Sequence, residues 1–244
     1  LVAIHLYLKK EISEIKSLSL DFFNLLMELA ENHQNDLMPG YTHFQVAMPS
    51  SFGLWFSAYA ESLIDDLTLL NAAQKIVDQN PMGSAAGYGS SFPIDREETT
   101  QLMAFSDLKY NVMAAQMSRG KAEKITATGI AGVSATLAKL AMDICLYMSQ
   151  EFNFITFPDN LTTGSSIMPH KKNPDVFELI RGKCNLLQGL PNQLALLSSN
   201  LPGGYHREMQ LAKGPIIDAI QEIKSCLDIF TFSLKEIQIR KDIL

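Results

Sequence analysis

The sequence contains few cysteines and lacks an excess of basic charge, and each shortage excludes a class of protein. Its three cysteines, Cys145, Cys184 and Cys226, are odd in number and far apart, which fits neither a disulfide framework nor a zinc site. This pattern favours a reducing, cytoplasmic location. The formal net charge of -6, from 20 basic and 26 acidic side chains, would repel a polyanion and argues against nucleic acid as a partner.

Closely spaced histidines and long apolar runs are also lacking. The five histidines form no HxxxH pair and no carboxylate spacing typical of a metal site, so we predict no metal. Polar or small residues interrupt the apolar stretches before about 20 residues, which predicts that no segment spans a membrane. The 244-residue chain is 47% hydrophobic, which is enough for a substantial core in one large or two small domains.

Helical periodicity dominates the chain, and no convincing alternating strand pattern appears. Apolar residues recur every three or four positions from residue 1 to about 31, which predicts one long helix. A second helix is expected to have Pro49 in its first turn. Small residues such as Gly129 in the third helix would permit close helix contact. The later helices are expected at about 118–150, at 174–200 with a kink at Pro191, and from 215 onward.

The predicted fold is all-α, an elongated bundle of five long helices, each about 30 to 50 Å long. Apolar helix stripes normally form a core, so function is expected in the polar loops 32–48, 79–97 and 151–173. Because consecutive long helices run antiparallel, the first and third loops should share one end, with the second about 40 Å away. Assembly of several subunits could bring all three loops together.

The third loop contains TTGSSIMPHKKNPDVFE, a composition typical of anion binding. Its lysines, its hydroxyls and the amides of the helix that Pro174 opens could hold carboxylates and stabilise negative charge that develops during a reaction. The alternative is an ordinary solvated loop in which Asn173 caps the following helix.

Three other segments offer polar candidates. His43, in GYTHFQ, could act as an acid or base near neutrality, although a loop histidine usually has no chemical role. Arg96 could clamp a carboxylate, or it could pair structurally with the adjacent Asp95. The segment GGYHREMQLAK either reads a substrate through hydrogen bonds or forms an exposed connection, and its polar candidates are Tyr205, Gln210 and Lys213.

Together the elements GYTHFQVAMP, NPMGSAAGYGSSFPIDRE and GSSIMPHKKNPDVFELIRGK resemble the fumarase and aspartase superfamily. GSSxMPxKxNP is the superfamily signature. The double lysine and the GYTHxQ and GSxAGxGxxFPIDR loops are most similar to the argininosuccinate lyase branch. The resemblance covers nearly the whole chain, with departures at Val46, Met48 and His170 and in the HRE that follows Tyr205.

The resemblance implies a cytoplasmic homotetramer with a twenty-helix core, five long helices per subunit, and active sites shared between subunits. The implied reaction is the elimination that cleaves a C–N bond of argininosuccinate to give arginine and fumarate, in arginine biosynthesis, without a metal or organic cofactor. Two alternatives stay open. One is another fumarate-releasing lyase such as adenylosuccinate lyase, and the other is a non-catalytic structural bundle of the crystallin type.

The signature itself implies roles for three residues. Ser165 is similar in position to the family's catalytic base, and Lys171 and Asn173 to its carboxylate-binding residues. Serine is a poor base in water. Its deprotonation therefore needs nearby positive charge, for which Lys171 is the candidate, and a loop that closes and excludes solvent.

Residues outside the signature also match the family. Thr42 and His43 match the pair that binds substrate and assists proton transfer, and Glu178 matches the acidic residue that would orient or charge-balance His43. The other implied substrate-binding residues match the spacing for the arginine part of the substrate or, for the last, only a loop motif: Tyr205, Gln210, Lys213 and Arg96.

The resemblance also predicts that residues 1–244 form the family's central helical domain. Leu1 lies directly in a helical pattern. The serine-arginine-asparagine element expected just before it, and the family's N-terminal and C-terminal domains, do not appear in the sequence. We therefore expect this stretch alone to have little or no activity, because missing substrate contacts remove transition-state stabilisation.

Overall fold

The computed structural model describes residues 1–164, 166–168 and 170–244, and helices dominate it. The predicted all-α class is confirmed. The described α-helices are α1 (Val2–Asn32), α2 (Phe52–Val77), α3 (Arg96–Leu102), α4 (Val112–Met117), α5 (Lys121–Tyr147), α6 (Asp175–Leu187), α7 (Leu190–Leu197) and α8 (Lys213–Leu234).

The chain forms two compact units and enters each of them three times. The first unit comprises Leu1–Lys16, Leu67–Gly132 and Leu187–Ile223, and the second comprises Ser17–Asp66, Val133–Leu186 and Lys224–Leu244. The first and third polar loops therefore fall in the same unit, as the antiparallel arrangement of long helices predicted. The second loop belongs to the other unit.

Helix α1 agrees with its prediction to within one residue at each end. Its apolar stripe is fully buried at Leu8, Ile12, Ile15 and Phe22, at spacings of three, four and seven residues. Burial of this stripe on one face stabilises a helix whose sequence has no strong N-cap, since tertiary packing supplies most helical stability in proteins.

Residues 32–48 are not a plain loop, and the prediction of no strands is wrong here. Strands β1 (Leu37–Thr42) and β2 (Gln45–Ser51) form an antiparallel hairpin with a bulge at Gly40/Tyr41. Pro49, expected in the first turn of α2, instead lies opposite Pro39 in this ribbon. Most β2 side chains are exposed, so the strands show no alternating pattern, and prolines are tolerated in a ribbon with open edges. In the first unit, the two-residue strands β3 (Gln79–Asn80) and β4 (Asp107–Leu108) pair in parallel.

The predicted fourth helix is two helices rather than one kinked helix. Helix α6 ends at Leu187, and α7 begins at Leu190 with Pro191 in its first turn. A proline ring clashes with the carbonyl four residues earlier, here that of Leu187, whereas its missing N–H costs little in a first turn. Pro191 therefore causes a full break between two helices, where a kink within one helix was expected.

Helix α5 is a core helix with a close neighbour. A Cβ at Gly129 would lie 2.8 Å from Leu70 Cδ2, so glycine permits this approach of α5 to α2, as the small-residue pattern predicted. By length and composition alone, the helix is also long and apolar enough to cross a membrane. However, 56% of its most apolar stretch is buried inside the molecule, as in the core helices of globular proteins.

Asp66 on α2 is a buried carboxyl whose charge should destabilise the fold. It is 7% exposed and accepts a 2.6 Å hydrogen bond from the Thr136 hydroxyl. Burial raises the pKa of Asp66 above its ordinary value. The folded state therefore binds this proton more tightly than the unfolded chain does, and stability falls as pH rises from the ordinary carboxyl range through the raised pKa.

We expect Asp66→Asn, which keeps an acceptor for Thr136 without the charge, to raise the melting temperature at neutral pH by about 2 °C. The gain should disappear below about pH 4, where the wild-type carboxyl is protonated in both states. Thermal unfolding of both proteins across pH measures this. Asp65→Asn removes the same charge from an exposed neighbour and should change little. A lower melting temperature for Asp66→Asn at neutral pH would contradict the argument.

Candidate active site

A chain of phenylalanines in the second unit anchors the helix that follows the signature loop. Phe177 in α6 is fully buried, with ring centroids 4.7 Å from Phe157 and 5.5 Å from Phe230. Phe230 in turn packs 5.0 Å from Phe22. This cluster ties α6 to α1 and α8, so the polar residues at the start of α6 project from a rigid support.

Backbone pairing closes the signature loop at its base. Thr163 and Asn173 form an isolated antiparallel bridge, with the Asn173 amide donating to the Thr163 carbonyl at 2.9 Å. The Thr163 hydroxyl also donates to the Asp175 carboxylate in the first turn of α6. The bridge fixes both ends of the loop, and it places Asn173 two residues before α6.

The two adjacent lysines of the loop have different surroundings. The Lys172 ammonium lies 2.6 Å from an Asp159 carboxylate oxygen. Within the described part of the chain, the Lys171 ammonium has no hydrogen-bond or ion-pair partner. Lys171 is therefore the lysine whose charge is available to an added anion.

A cavity of about 770 Å³ in the second unit brings several predicted residues together. Lys171, Asn173 and Glu178 all line it, whereas Ser165 lies outside the described residues. Burial raises the pKa of the Cys145 thiol in its wall to about 11, so that thiol is neutral near pH 7. The other lining residues are Met148, Ser149, Gln150, Asn153, Ile155, Thr156, Met168, His170, Lys172, Pro174 and Arg240.

Sequence reasoning missed Arg240 on the cavity wall. Strand β6 (Gln238–Ile239) pairs with β5 (Ile155–Thr156), and the Arg240 amide donates to the Phe154 carbonyl at 2.8 Å. Its guanidinium donates to Asn153 and to Asp242. The wall thus combines segments far apart in sequence. Pairing of two-residue strands leaves no detectable pattern, so no sequence signal could have indicated this contact.

Thr42 and His43 lie at the tip of the hairpin, in the same unit as the cavity but outside its lining. His43 and Phe44 form the two-residue turn with φ of 54° and 58°, as a type I′ turn requires, although glycine and asparagine are the usual residues. Both side chains are exposed. Among the described residues, no hydrogen bond joins His43 to Glu178.

Aromatic packing fixes the hairpin against the third loop. The Tyr41 ring, two residues before His43, lies edge-on to Phe152 with centroids 5.3 Å apart and stacks 6.5 Å from Phe154. Tyr147 at the end of α5 packs against both phenylalanines, at 6.1 Å and 5.7 Å. The hairpin and the third loop are thus held together, whereas the strained turn presents His43 to solvent.

Arg96 belongs to the first unit and holds the second loop in place. Its guanidinium donates to the backbone carbonyls of Met82, Lys109 and Tyr110, at 2.8, 2.6 and 2.8 Å. Among the described residues, no ion pair joins Asp95 to it. Asp95 instead caps α3, accepting from the Glu98 amide at 2.8 Å. The structural alternative for Arg96 was an ion pair with Asp95. The structure shows hydrogen bonds to backbone carbonyls in its place, and these occupy three of the five N–H groups of the guanidinium.

The remaining candidates lie in the first unit as an exposed group. Gln210 lies in the 3₁₀ helix Arg207–Ala212, Lys213 begins α8, and Tyr205 is 52% exposed. The structure therefore divides the predicted site. The signature loop and the hairpin are in one unit, and the second loop and the residues expected to hold the arginine part are in the other.

Comparison with known proteins shows the family. A family model described as a lyase matches residues 2–189. The chain belongs to this lyase family. This lyase chain is 54% identical over 244 residues to an argininosuccinate lyase from Parabacteroides distasonis, with 100% of the chain and 55% of the relative covered. It is 52% identical over 244 residues to one from Bacteroides fragilis, with the same coverage.

The lyase chain thus spans about half the length of the curated relatives it matches. Its fold is similar to that of a class II fumarase from Schistosoma mansoni, with a TM-score of 0.86 at 19% identity, covering 99% of this chain and 56% of that one. The two curated relatives confirm the resemblance to argininosuccinate lyases that the sequence motifs indicated. Among the described residues, no group of three or more His, Cys, Asp or Glu side chains could hold a metal.

Proposed function

We propose that the full-length protein is a cytoplasmic argininosuccinate lyase, which cleaves argininosuccinate to arginine and fumarate in arginine biosynthesis. The observation that carries this proposal is the cavity that gathers Lys171, Asn173 and Glu178 beside the signature loop. The identity of 54% to an argininosuccinate lyase over the whole chain supports the choice of substrate. Residues 1–244 would form the central helical domain.

In the proposed reaction, Ser165 removes a proton from the carbon beside a substrate carboxylate. The electron pair left on that carbon delocalises into the carboxylate, where Lys171 and Asn173 stabilise the added negative charge. The C–N bond then breaks and the carbon–carbon double bond of fumarate forms. The departing nitrogen keeps the bonding pair, gains a proton and is released in arginine. His43 assists proton transfer, with Thr42 as its neighbour in substrate binding.

We propose that the complete site is assembled from several subunits of a homotetramer. Two observations support this. No hydrogen bond or ion pair joins His43 to Glu178 within the described part of the chain. The hairpin also exposes a run of large apolar side chains, Phe44 at 73%, Val46 at 69% and Met48 at 65%. Monomeric proteins rarely expose such clusters, which are typical of association surfaces.

Product analysis of the full-length protein tests the function. We expect fumarate, followed by its ultraviolet absorbance, to accumulate with argininosuccinate and not with adenylosuccinate. Fumarate from adenylosuccinate alone would keep the elimination and replace the amine. The absence of fumarate from either substrate would favour a structural bundle. Light scattering at micromolar concentration tests the assembly, and a monomer would contradict it.

His43 provides a direct test of the hairpin's role. We expect His43→Asn to lower turnover of the full-length protein about tenfold to a hundredfold, because acid–base assistance is lost. Asparagine tolerates positive φ, so the turn should survive and thermal unfolding should be unchanged. Steady-state kinetics and a melting curve separate the two effects. Wild-type turnover with an unchanged melting curve would remove His43 from the proposed chemistry.

A further inference from the structure

The exposed segment that carries Gln210 is attached to a buried ion pair. Arg119 and Glu123 lie on either side of the start of α5 and face each other, with Arg119 Nε 2.6 Å from Glu123 Oε1. Their side chains are only 8% and 0% exposed. The second Glu123 oxygen accepts from the Gly120 amide at 2.7 Å, so this carboxylate also caps the helix.

The same arginine reaches a remote backbone group. Arg119 Nη2 donates to the carbonyl of Met209 at 3.0 Å, across a sequence separation of 90 residues. Met209 is 8% exposed, and its side chain lies over Gly120, where a Cβ would be 2.5 Å from the Met209 sulfur. Gly120 has a φ of +80°, a conformation that favours glycine. Both the carbonyl and the side chain of Met209 are therefore seated on the start of α5.

Met209 directly precedes Gln210 within the 3₁₀ helix Arg207–Ala212, and Lys213 follows that helix. A 3₁₀ helix has weak internal hydrogen bonds and little stability of its own. Most of the segment is exposed, and Met209 and Ala212 are its buried residues. The contacts of Met209 therefore largely determine the positions of Gln210 and Lys213.

We propose that Arg119, Glu123 and Gly120 are positioning residues that fix Met209 and so place Gln210 and Lys213 to hold the amine half of the substrate. This inference rests on the proposed function, in which those two residues bind the arginine part. A buried ion pair contributes little net stability, because desolvation offsets its attraction. We assign this ion pair a geometric role. The Arg119 guanidinium contacts both the Glu123 carboxylate, which caps α5, and the Met209 carbonyl, which directly precedes Gln210.

Arg119→Lys in the full-length protein tests the proposal. Lysine keeps a positive charge opposite Glu123 but lacks the planar fork that contacts the carboxylate and the carbonyl together. We expect the KM for argininosuccinate and the inhibition constant for arginine each to rise about tenfold, with kcat and the inhibition constant for fumarate changed less than about twofold. If Arg119 only stabilised the fold, its replacement would not change the inhibition constant for arginine more than that for fumarate.

Gly120→Ala gives an independent test if Arg119→Lys does not fold, since its Cβ would displace Met209 without removing a charge. The same split between arginine and fumarate is expected. Gly182→Ala is the matched control, because nothing lies within 4 Å of a Cβ there. An unchanged arginine constant in a folded variant, or equal weakening of both products, would overturn the positioning role. A wild-type protein inactive on argininosuccinate would instead overturn the proposed function, and this inference with it.

Discussion

Replacing Ser165 by alanine in the full-length protein should lower the rate of fumarate formation from argininosuccinate by at least about a hundredfold, the scale of losing a key proton-transfer group. The expectation rests on the position of Ser165 in GSSIMPHKKNP, since this residue lies outside the described part of the structure. The described neighbours support it. The loop is closed by the bridge between Thr163 and Asn173, and the Lys171 ammonium is available to stabilise an anion.

Ser166→Ala is the matched control for that experiment. It removes an identical hydroxyl one residue further along an exposed loop, and most of the turnover should remain. Single-turnover measurements would show whether Ser165→Ala slows the chemical step or weakens substrate binding. We expect the chemical step to be slower and substrate affinity to be retained. Normal turnover in Ser165→Ala would exclude this serine as the base. Equal losses in both variants would point to the loop's conformation instead.

Long helices with one buried stripe are the part of the fold that the sequence predicts well. In α1 the helical period matches full burial at Leu8, Ile12, Ile15 and Phe22, because one face of the helix packs against the core. The sequence did not predict the hairpin, because neither of its faces is well buried and its residues therefore do not alternate between apolar and polar. Its turn also uses His43 and Phe44 at positive φ in place of the usual Asn-Gly signal.

The same distinction applies to the site: residues close in sequence can be predicted together, whereas residues brought in by tertiary contacts cannot. Lys171, Asn173 and Glu178 lie within eight residues of one another, so a single sequence motif is enough to place them together. Arg240 reaches the same cavity only through the pairing of β5 with β6. The contacts of Arg119 with Met209 likewise depend on a chain reversal that periodicity cannot specify. The spacing of apolar residues in a sequence predicts core positions, but it does not predict polar contacts between distant segments.

Lys171→Met in the full-length protein should lower kcat/KM for argininosuccinate by about a hundredfold to a thousandfold, the range for removing one preorganised group that stabilises developing negative charge. Methionine keeps the length and apolar stem of the side chain, so the loop should retain its shape. Because the proposed intermediate places its extra charge on a substrate carboxylate, the loss should fall on kcat as well as on KM.

The adjacent lysine makes this prediction specific. Lys172→Met removes an identical charge one residue away, but that charge is already paired with Asp159 at 2.6 Å on the exposed surface. Such pairs contribute little, so we expect kcat/KM to change by less than about threefold. Steady-state kinetics at two ionic strengths complete the comparison, since a general electrostatic effect would reduce both variants and weaken with salt. A similar loss in both would contradict a site in which Lys171 alone contacts the substrate, because only the local contact distinguishes two neighbouring lysines.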